Sequence, residues 1–279
     1  MVSIVIPVFN RVDYTVACIE SLKATTHLDF RVILVDDGST DKTQEIISTR
    51  FPEVIIISGD GSWWWTKSTN MGIKKAIELG SDYIMMLNND TIAQPDFVHN
   101  MIKPIEQNQK TVVGALGIDK NSNLAVQRGL QINWLLAKNV HHKKIDGVQD
   151  VSGLKSVSCL PGRGMSFHAS LIREIGYPDE KHLPQYTADF DFSIRAAENG
   201  YNVYCNYDAK LLIYPEESGS KLNRKQKTLK KFKHHLFGIK GDGNLMNFFR
   251  FGVRHCPAQY LVFYLPIGMM RRVVGFWLK

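Results

Sequence analysis

The chain has 279 residues, 44% hydrophobic and 22% charged, which suffices for a full buried core and is ordinary for a globular protein. Charge is uneven: beyond residue 220 there are 13 Lys or Arg and one acid, Asp242, while residues 1–220 hold 21 Lys or Arg against 26 acids. Four scattered cysteines without a CxxC pair argue against a zinc site or a disulfide framework. The opening "MVSIVIPVFN" lacks the basic start and small-residue cleavage site of a signal peptide, so a reducing, intracellular setting is expected.

In chain order, "SIVIPVF" (3–9) is a short β-rich apolar run ended by Asn10-Arg11, the pattern of a buried parallel strand. Val16, Cys18, Ile19 and Leu22 have helical spacing, with Asp13 as the expected N-cap. A second strand, Phe30 to Val35, breaks into Asp36-Asp37-Gly38-Ser39, and a helix starts near Asp41. "EVIIIS" (53–58) is a third strand; Thr69 to Leu79 is a helix with Gly80 as its C′ residue. "YIMML" (83–87) is a fourth strand. Strands alternating with helices predict an α/β fold built from right-handed βαβ units around a parallel sheet. From Val112 to Val157 the pattern loosens, and irregular strands and loops are expected. "CLPGRGMSFHASLIREIG" predicts a turn and a helix ending at Gly176, "ADFDFSIRAAENG" a helix ending at Gly200, and "YNVYCN" a strand.

Three of these strands end in polar residues at the same edge: Asn10, then Asp36-Asp37, then Asn88-Asn89-Asp90. Ligands of an open parallel sheet bind beyond the carboxyl ends of its strands, although Asp and Asn also serve there as helix caps. No GxGxxG or GxxxxGK[ST] follows a strand, so a phosphate-bearing ligand would lack a glycine cradle. A divalent ion held by Asp90 and by the ligand's own phosphates would do that work. Trp63-Trp64-Trp65 cannot all face one core, so one is expected inside and one, Trp64, against a sugar on the acceptor side.

"SIVIPVFNR", "VDDGSTD", "TNMGIKKA", "LNND" and "ADFDFSIRA" resemble, in order and spacing, the motifs of family-2 inverting glycosyltransferases, over about residues 1–220. "GDGSWWWTKSTNMGI" more loosely resembles a bacterial branch that makes rhamnose-containing and related cell-surface polysaccharides. The resemblance implies the GT-A fold over about 1–220; the strand–helix alternation marks 1–115 as a nucleotide-binding half, leaving 116–220 as an acceptor half, and the charge shift sets off 221–279 as a separate basic tail. It implies that Pro7, Phe9 and Asn10 line the base and ribose end of a nucleotide-diphosphate sugar donor. Asp37 would accept a hydrogen bond from the base, and Lys67 and Asn70 would flank the phosphates. Asn88-Asn89-Asp90 is similar to the family's DXD motif, with Asp90 on Mg²⁺ or Mn²⁺ and Asn88 replacing the usual first acid. Asp189 matches the catalytic base, with Ala188 in place of the preceding acid; Asp191 takes a structural or acceptor-side role, and Arg163 touches acceptor or diphosphate. Pro215, Glu216 and Glu217 stand where many relatives have a metal-binding His, and Glu216 is a candidate replacement.

Residues 221–279 interleave basic and apolar side chains, which suits an anionic membrane surface and a glycan or lipid-linked acceptor. The stacking motifs of nucleic-acid binders are missing, so no nucleic-acid partner is expected. The apolar run 256–270 spans 15 residues and contains Pro257 and Pro266, shorter than the ~20 apolar residues a spanning helix needs. His234 and His235 are expected to be solvated. The sequence therefore predicts a metal-dependent inverting glycosyltransferase, peripheral on the inner face of the cell membrane. A sugar nucleotidyltransferase and a non-catalytic glycan- or membrane-binding relative are the alternatives.

Overall fold

The computed structural model describes residues 1–27, 29–141, 151–214 and 227–278, leaving Pro215, Glu216 and Glu217 outside the described residues. Strands β1 (Val2–Val8), β2 (Phe30–Asp36), β3 (Ile55–Ser58) and β4 (Tyr83–Met86) pair in parallel in the order β3-β2-β1-β4. Helices α1 (Val12–Lys23), α2 (Thr43–Arg50) and α3 (Trp64–Glu78) connect them. Successive side chains of a strand point to opposite faces. Accordingly Ile4, Ile6, Val8 and Leu34 pack with Cys18, Ile19 and Leu22 of α1, whereas Val5, Ile33 and Val35 pack with Ile73 and Ala76 of α3. Both faces are covered, and this explains why the strands read as unbroken apolar runs.

Several boundaries differ from expectation. Arg11 and not Asp13 precedes α1, and Asn10 and Arg11 both adopt left-handed φ, 61° and 66°, turning the chain off β1. Helix α3 begins five residues before Thr69, for a reason that lies in the site below. It ends as expected, with Gly80 at φ 70° and the Ser81 N–H bonded to the Ala76 carbonyl.

Beyond β4 the sheet continues through β11 (Met165–His168), antiparallel to both neighbours, then β6 (Thr111–Asp119), β12 (Asn202–Ile213) and β10 (Leu154–Ser156). Short strands β5 (Thr91–Ala93) and β7 (Ala125–Gln127) join β12 and β6, while β8 (Leu130–Asn133) and β9 (Lys138–His141) form a separate hairpin. Helices α4 (Phe97–Gln107), α5 (Ser170–Ile175) and α6 (Ala188–Glu198) pack on this half. The irregular stretch expected after Val112 is thus, in its first part, a long buried strand. Its glycines mislead because they serve close packing: a Cβ on Gly114 would lie 2.3 Å from Leu160, and one on Gly117 would lie 2.7 Å from Gln127.

Three helices follow in the tail: α7 (Leu229–Phe237), α8 (Leu245–His255) and α9 (Ala258–Leu278). Thr228 and Asn244 cap the first two, accepting from Lys231 and Asn247 N–H groups at 3.3 and 2.9 Å. Phe248, Phe251 and Tyr264 build a third apolar cluster with Leu130, Cys159 and Ile194, fixing the tail to α6 and the hairpin. Helix α9 corrects the expected length: it runs 21 residues through Pro266 and the Arg271-Arg272 pair, long and apolar enough by length and composition to cross a membrane. One face, with Tyr264 and Gly268, packs on α8, where a Cβ on Gly268 would lie 2.0 Å from the Phe248 ring. The opposite face leaves Val262, Phe263, Met270, Val273, Val274 and Trp277 exposed.

Candidate active site

The rim of β1, β2 and β4 assembles as a site, with a different division of labour from the one expected. Asp37 lies just past β2, and its Oδ1 accepts from the Gly61 N–H at 2.9 Å. Its Oδ2 accepts from the Trp63 and Trp64 N–H groups at 2.9 and 3.0 Å. These are orphan donors of a helix N-terminus, so Asp37 starts α3 from 26 positions away. It also holds Trp64 at φ 60°, uncommon for a bulky residue. Asn10 ties the β1 and β2 rims together, accepting from the Thr40 N–H at 2.9 Å and donating its own N–H to Ser39 Oγ at 2.7 Å.

Pro7, Phe9, Asp37 and Trp64 line a cavity of about 220 Å³ together with Ser68, Gln185 and Lys240. Trp64, expected on the acceptor side, lines the same cavity as the residues expected at the base, while Trp63 and Trp65 pack against the core. The Lys240 ammonium, from the tail, sits 5.0 Å from the Trp64 ring centroid and 5.7 Å from that of Phe9. The buried Ser68 hydroxyl has no hydrogen-bond partner among the described residues. Nothing in the linear sequence distinguishes Ser68, Gln185 or Lys240, because three separate elements bring them together.

Two expected phosphate contacts move elsewhere. Asn70 is buried and its amide donates to the Pro178 carbonyl and to Glu180 Oε2, at 2.9 and 2.6 Å, fixing a loop. Lys67 lies over the Trp63 ring at 5.0 Å and lines neither cavity. Asn89 is also internal, its amide donating to Thr15 Oγ1 at 3.0 Å.

The residues at the end of β4 connect to α6 through the loop that precedes β11. Asp90 is 4% exposed, and its Oδ2 lies 3.1 Å from a guanidinium nitrogen of Arg163 and 3.9 Å from one of Arg11. Next to Arg163, the Gly162 N–H donates to Asp189 Oδ2 at 2.8 Å, and the Phe190 N–H donates to Oδ1 at 2.9 Å. Trp65 packs so closely that a Cβ on Gly162 would lie 2.4 Å from its ring, and its indole N–H donates to Asn88 Oδ1 at 3.1 Å. Asn88, Asp90, Arg163 and Asp189 therefore form one connected group, with Trp65 as a member the sequence did not single out. Burial raises the Asp189 carboxyl above the usual carboxylate range, and the two N–H donors with the Arg163 charge offset that only in part.

Asp191, by contrast, has a fully buried side chain that no acceptor can touch. Arg195, Arg254 and His255 donate to it at 2.9, 2.5 and 2.9 Å. Burial alone would raise its carboxyl; the His255 hydrogen bond and the two arginines outweigh it and hold the pKa at about 2. Arg254 also reaches Asp179 at 2.9 Å, and His255 reaches Glu198 at 3.0 Å, so this hub fastens the tail beneath α6.

A second cavity, of about 570 Å³, is bounded by Asp189 and Phe190 on one side and by the tail on the other. His235 lies on it and is buried, not solvated as expected, with Nδ1 2.6 Å from Asp242 Oδ1.

Asp90 also decides whether a divalent cation fits. Its Oδ1 is buried and accepts no hydrogen bond among the described residues. No group of three or more His, Cys, Asp or Glu converges among the described residues. The set fits a cation that arrives with a diphosphate and takes one protein carboxylate, as Mg²⁺ commonly does, but not one caged by protein alone.

Residues 3–176 match the sequence profile of Glycosyl transferase family 2. A glycosyltransferase of Rickettsia felis is 33% identical over 111 residues, covering 38% of this chain and 17% of the relative. Glycosyltransferase GlyG of Streptococcus pneumoniae is 28% identical over 116 residues, covering 40% of this chain and 38% of GlyG. The chain thus spans less than half the length of these relatives. The crystal structure of GalNAc-T7 with UDP, GalNAc and Mn²⁺ superposes with a TM-score of 0.64 at 13% identity, covering 100% of this chain and 56% of that one. That likeness shows the GT-A fold. With the profile covering more than half of the sequence and the strand-end residues meeting at one rim, the chain belongs to glycosyltransferase family 2.

Proposed function

We propose that the protein transfers a sugar, with inversion, from a nucleoside-diphosphate donor to a glycan or lipid-linked acceptor in cell-surface polysaccharide synthesis. The observation that carries this reading is the bridge formed by Gly162 and Arg163. One peptide N–H fixes the Asp189 carboxylate, and the next residue's guanidinium fixes Asp90. Two acids with different environments are thereby held in register, Asp90 paired with cations and Asp189 pushed toward stronger basicity.

In this assignment the smaller cavity takes the nucleoside, with Phe9 and Trp64 beside the base and Asp37 and Ser68 supplying polar contacts. Arg11, Arg163 and Lys240 bring positive charge toward the diphosphate. Asp90 Oδ1 would hold Mg²⁺ or Mn²⁺, which when bound supplies Lewis-acid stabilisation of the departing diphosphate. GalNAc-T7, which shares the fold, was crystallised with UDP and Mn²⁺, in agreement with such a donor and cation here. Asp189 takes the proton of the acceptor hydroxyl as general base, a role helped by its raised pKa.

Residues 1–220 form the catalytic body in this reading, and 221–279 meet the inner face of the membrane. The exposed apolar face of α9 and the exposed Lys230 and Lys233 of α7 support this, because basic and apolar groups together favour an anionic lipid surface.

The test is release of nucleoside diphosphate from a panel of nucleotide sugars with Mg²⁺ or Mn²⁺. Wild type is expected to release it, and Asp90→Ala and Asp189→Ala to lose that release. Pyrophosphate as the product, or equal background in all three proteins, refutes the assignment.

A further inference from the structure

The larger cavity has a wall that family membership does not explain, since it comes from the tail, beyond the residues matched by the family profile. On α9, Tyr264, Gly268, Arg271, Arg272 and Gly275 recur at three- and four-residue intervals and so share one helix face. Tyr264, both arginines and Gly275 line the cavity that Asp189 also lines.

The fold commits the two arginines differently: Arg272 is packed within the tail and feels the charge of Asp242, whereas Arg271 is not engaged. The Arg272 guanidinium lies 3.7 Å from the Phe248 ring centroid, which fixes its direction, and it donates to the Gly268 carbonyl at 3.1 Å. Arg271 is exposed and has no hydrogen bond or ion pair among the described residues. Gly275 follows Arg271 by four positions, and a Cβ there would meet nothing within 4 Å, so space is left beside the guanidinium. The acids that line the cavity are Asp189, held by two backbone N–H groups, and Asp242, paired with His235. Lys138 adds a third cation to the lining. A cavity with two adjacent guanidinium groups favours a phosphate, whose oxygens accept several charge-assisted hydrogen bonds.

We propose that this cavity is the acceptor site and that Arg271 and Arg272 bind a phosphate group carried by the acceptor, whose apolar chain leaves along the exposed face of α9. The assignment to an acceptor rests on the transfer reading above. The apolar half rests on Val262, Phe263, Met270, Val273, Val274 and Trp277, the exposed side chains on the other face of the same helix.

Binding is measured by calorimetry on the full chain in EDTA, with farnesyl diphosphate and inorganic pyrophosphate as probes. Wild type is expected to bind farnesyl diphosphate at least about tenfold more tightly than pyrophosphate, because burying the prenyl chain adds apolar contact. Arg271→Gln should weaken both by about tenfold, the loss of one charge-assisted contact. Lys103→Gln, at an exposed lysine of α4 that lines neither cavity, should bind both as wild type does. Unchanged affinity in Arg271→Gln, or an equal loss in Lys103→Gln, overturns the site; equal affinities for the two probes overturn the lipid-borne chain. Since no turnover is needed, Arg271-dependent binding without nucleoside diphosphate release would sink the transfer reading alone. Release without such binding would sink only this inference.

Discussion

Replacing Asp191 by Asn removes the charge at the centre of the hub that joins α6 to the tail while keeping the side chain's size. The folded carboxyl sits at about 2, against 3.8 for the ordinary group. That depression is worth ~2.4 kcal/mol at neutral pH, at ~1.36 kcal/mol per unit. The sign follows from the direction of the shift: a depressed carboxyl stabilises the fold above its unfolded pKa, and the contribution disappears as pH falls through about 2. Removing one partner of a buried pair can cost more, ~3–5 kcal/mol, when a charge is stranded. Here Arg254 keeps Asp179, His255 keeps Glu198, and Arg195 keeps the Ile175 and Tyr177 carbonyls, so the smaller figure governs. Urea unfolding at pH 7 should show Asp191→Asn destabilised by about 2–3 kcal/mol, with Tm lowered by roughly 3–6 °C. At pH 3 the difference should fall to roughly half. A variant within about 0.5 kcal/mol of wild type at pH 7, or a deficit unchanged in acid, refutes the charge argument.

Asp189→Asn should lose donor turnover by ~10²–10⁴ yet melt no lower than wild type at pH 7. A carboxyl whose folded pKa is raised gives up stability as pH rises through that value, and the amide avoids this cost. For wild type, the acid limb of the kcat profile should lie above the ordinary carboxylate value of 3.8, since the base works only when ionised. Gly114→Ala should destabilise by ~1–3 kcal/mol in thermal or urea unfolding, because its Cβ meets fully buried Leu160. Its kcat should also fall, since Leu160 leads directly into the Pro161–Arg163 loop. Val273→Glu with Trp277→Glu should leave Tm within a few degrees of wild type but abolish co-sedimentation with anionic phospholipid vesicles, as both residues are exposed.

The first four strands were legible as apolar runs, and the polar rim because β1, β2 and β4, buried on both faces, stop abruptly at an amide or a carboxylate. Central strand β6 was not, since Gly114 and Gly117 look like loop residues until Leu160 and Gln127 are seen pressed against them. The early start of α3 was hidden for a similar reason: its cap is Asp37, distant in sequence. Asp90 and Asp189 were readable from their motifs, but their bridge through residues 162 and 163 is a tertiary fact. Asn70 and Lys67 had suitable chemistry for phosphate, and packing turned both away. The helical reach of α9 was underestimated because Pro266 and two arginines interrupt the apolar run, whereas the helix sets Pro266 away from the face that carries both arginines.

If Asp37 also contacts the donor's base, as in the proposed assignment, one side chain does two jobs, and this limits how donor preference can drift or be redesigned. Any change there meant to suit another nucleobase also unravels the first turn of α3 and with it the seat of Trp64 and Trp65. Phe9, Ser68 and Gln185 border the same small cavity, and among their hydrogen bonds only that of Gln185 to the Trp65 N–H supports the helix start. Variation in nucleotide choice therefore disturbs the fold least at Phe9 and Ser68, and a selection for altered donors should accumulate substitutions there while leaving position 37 untouched.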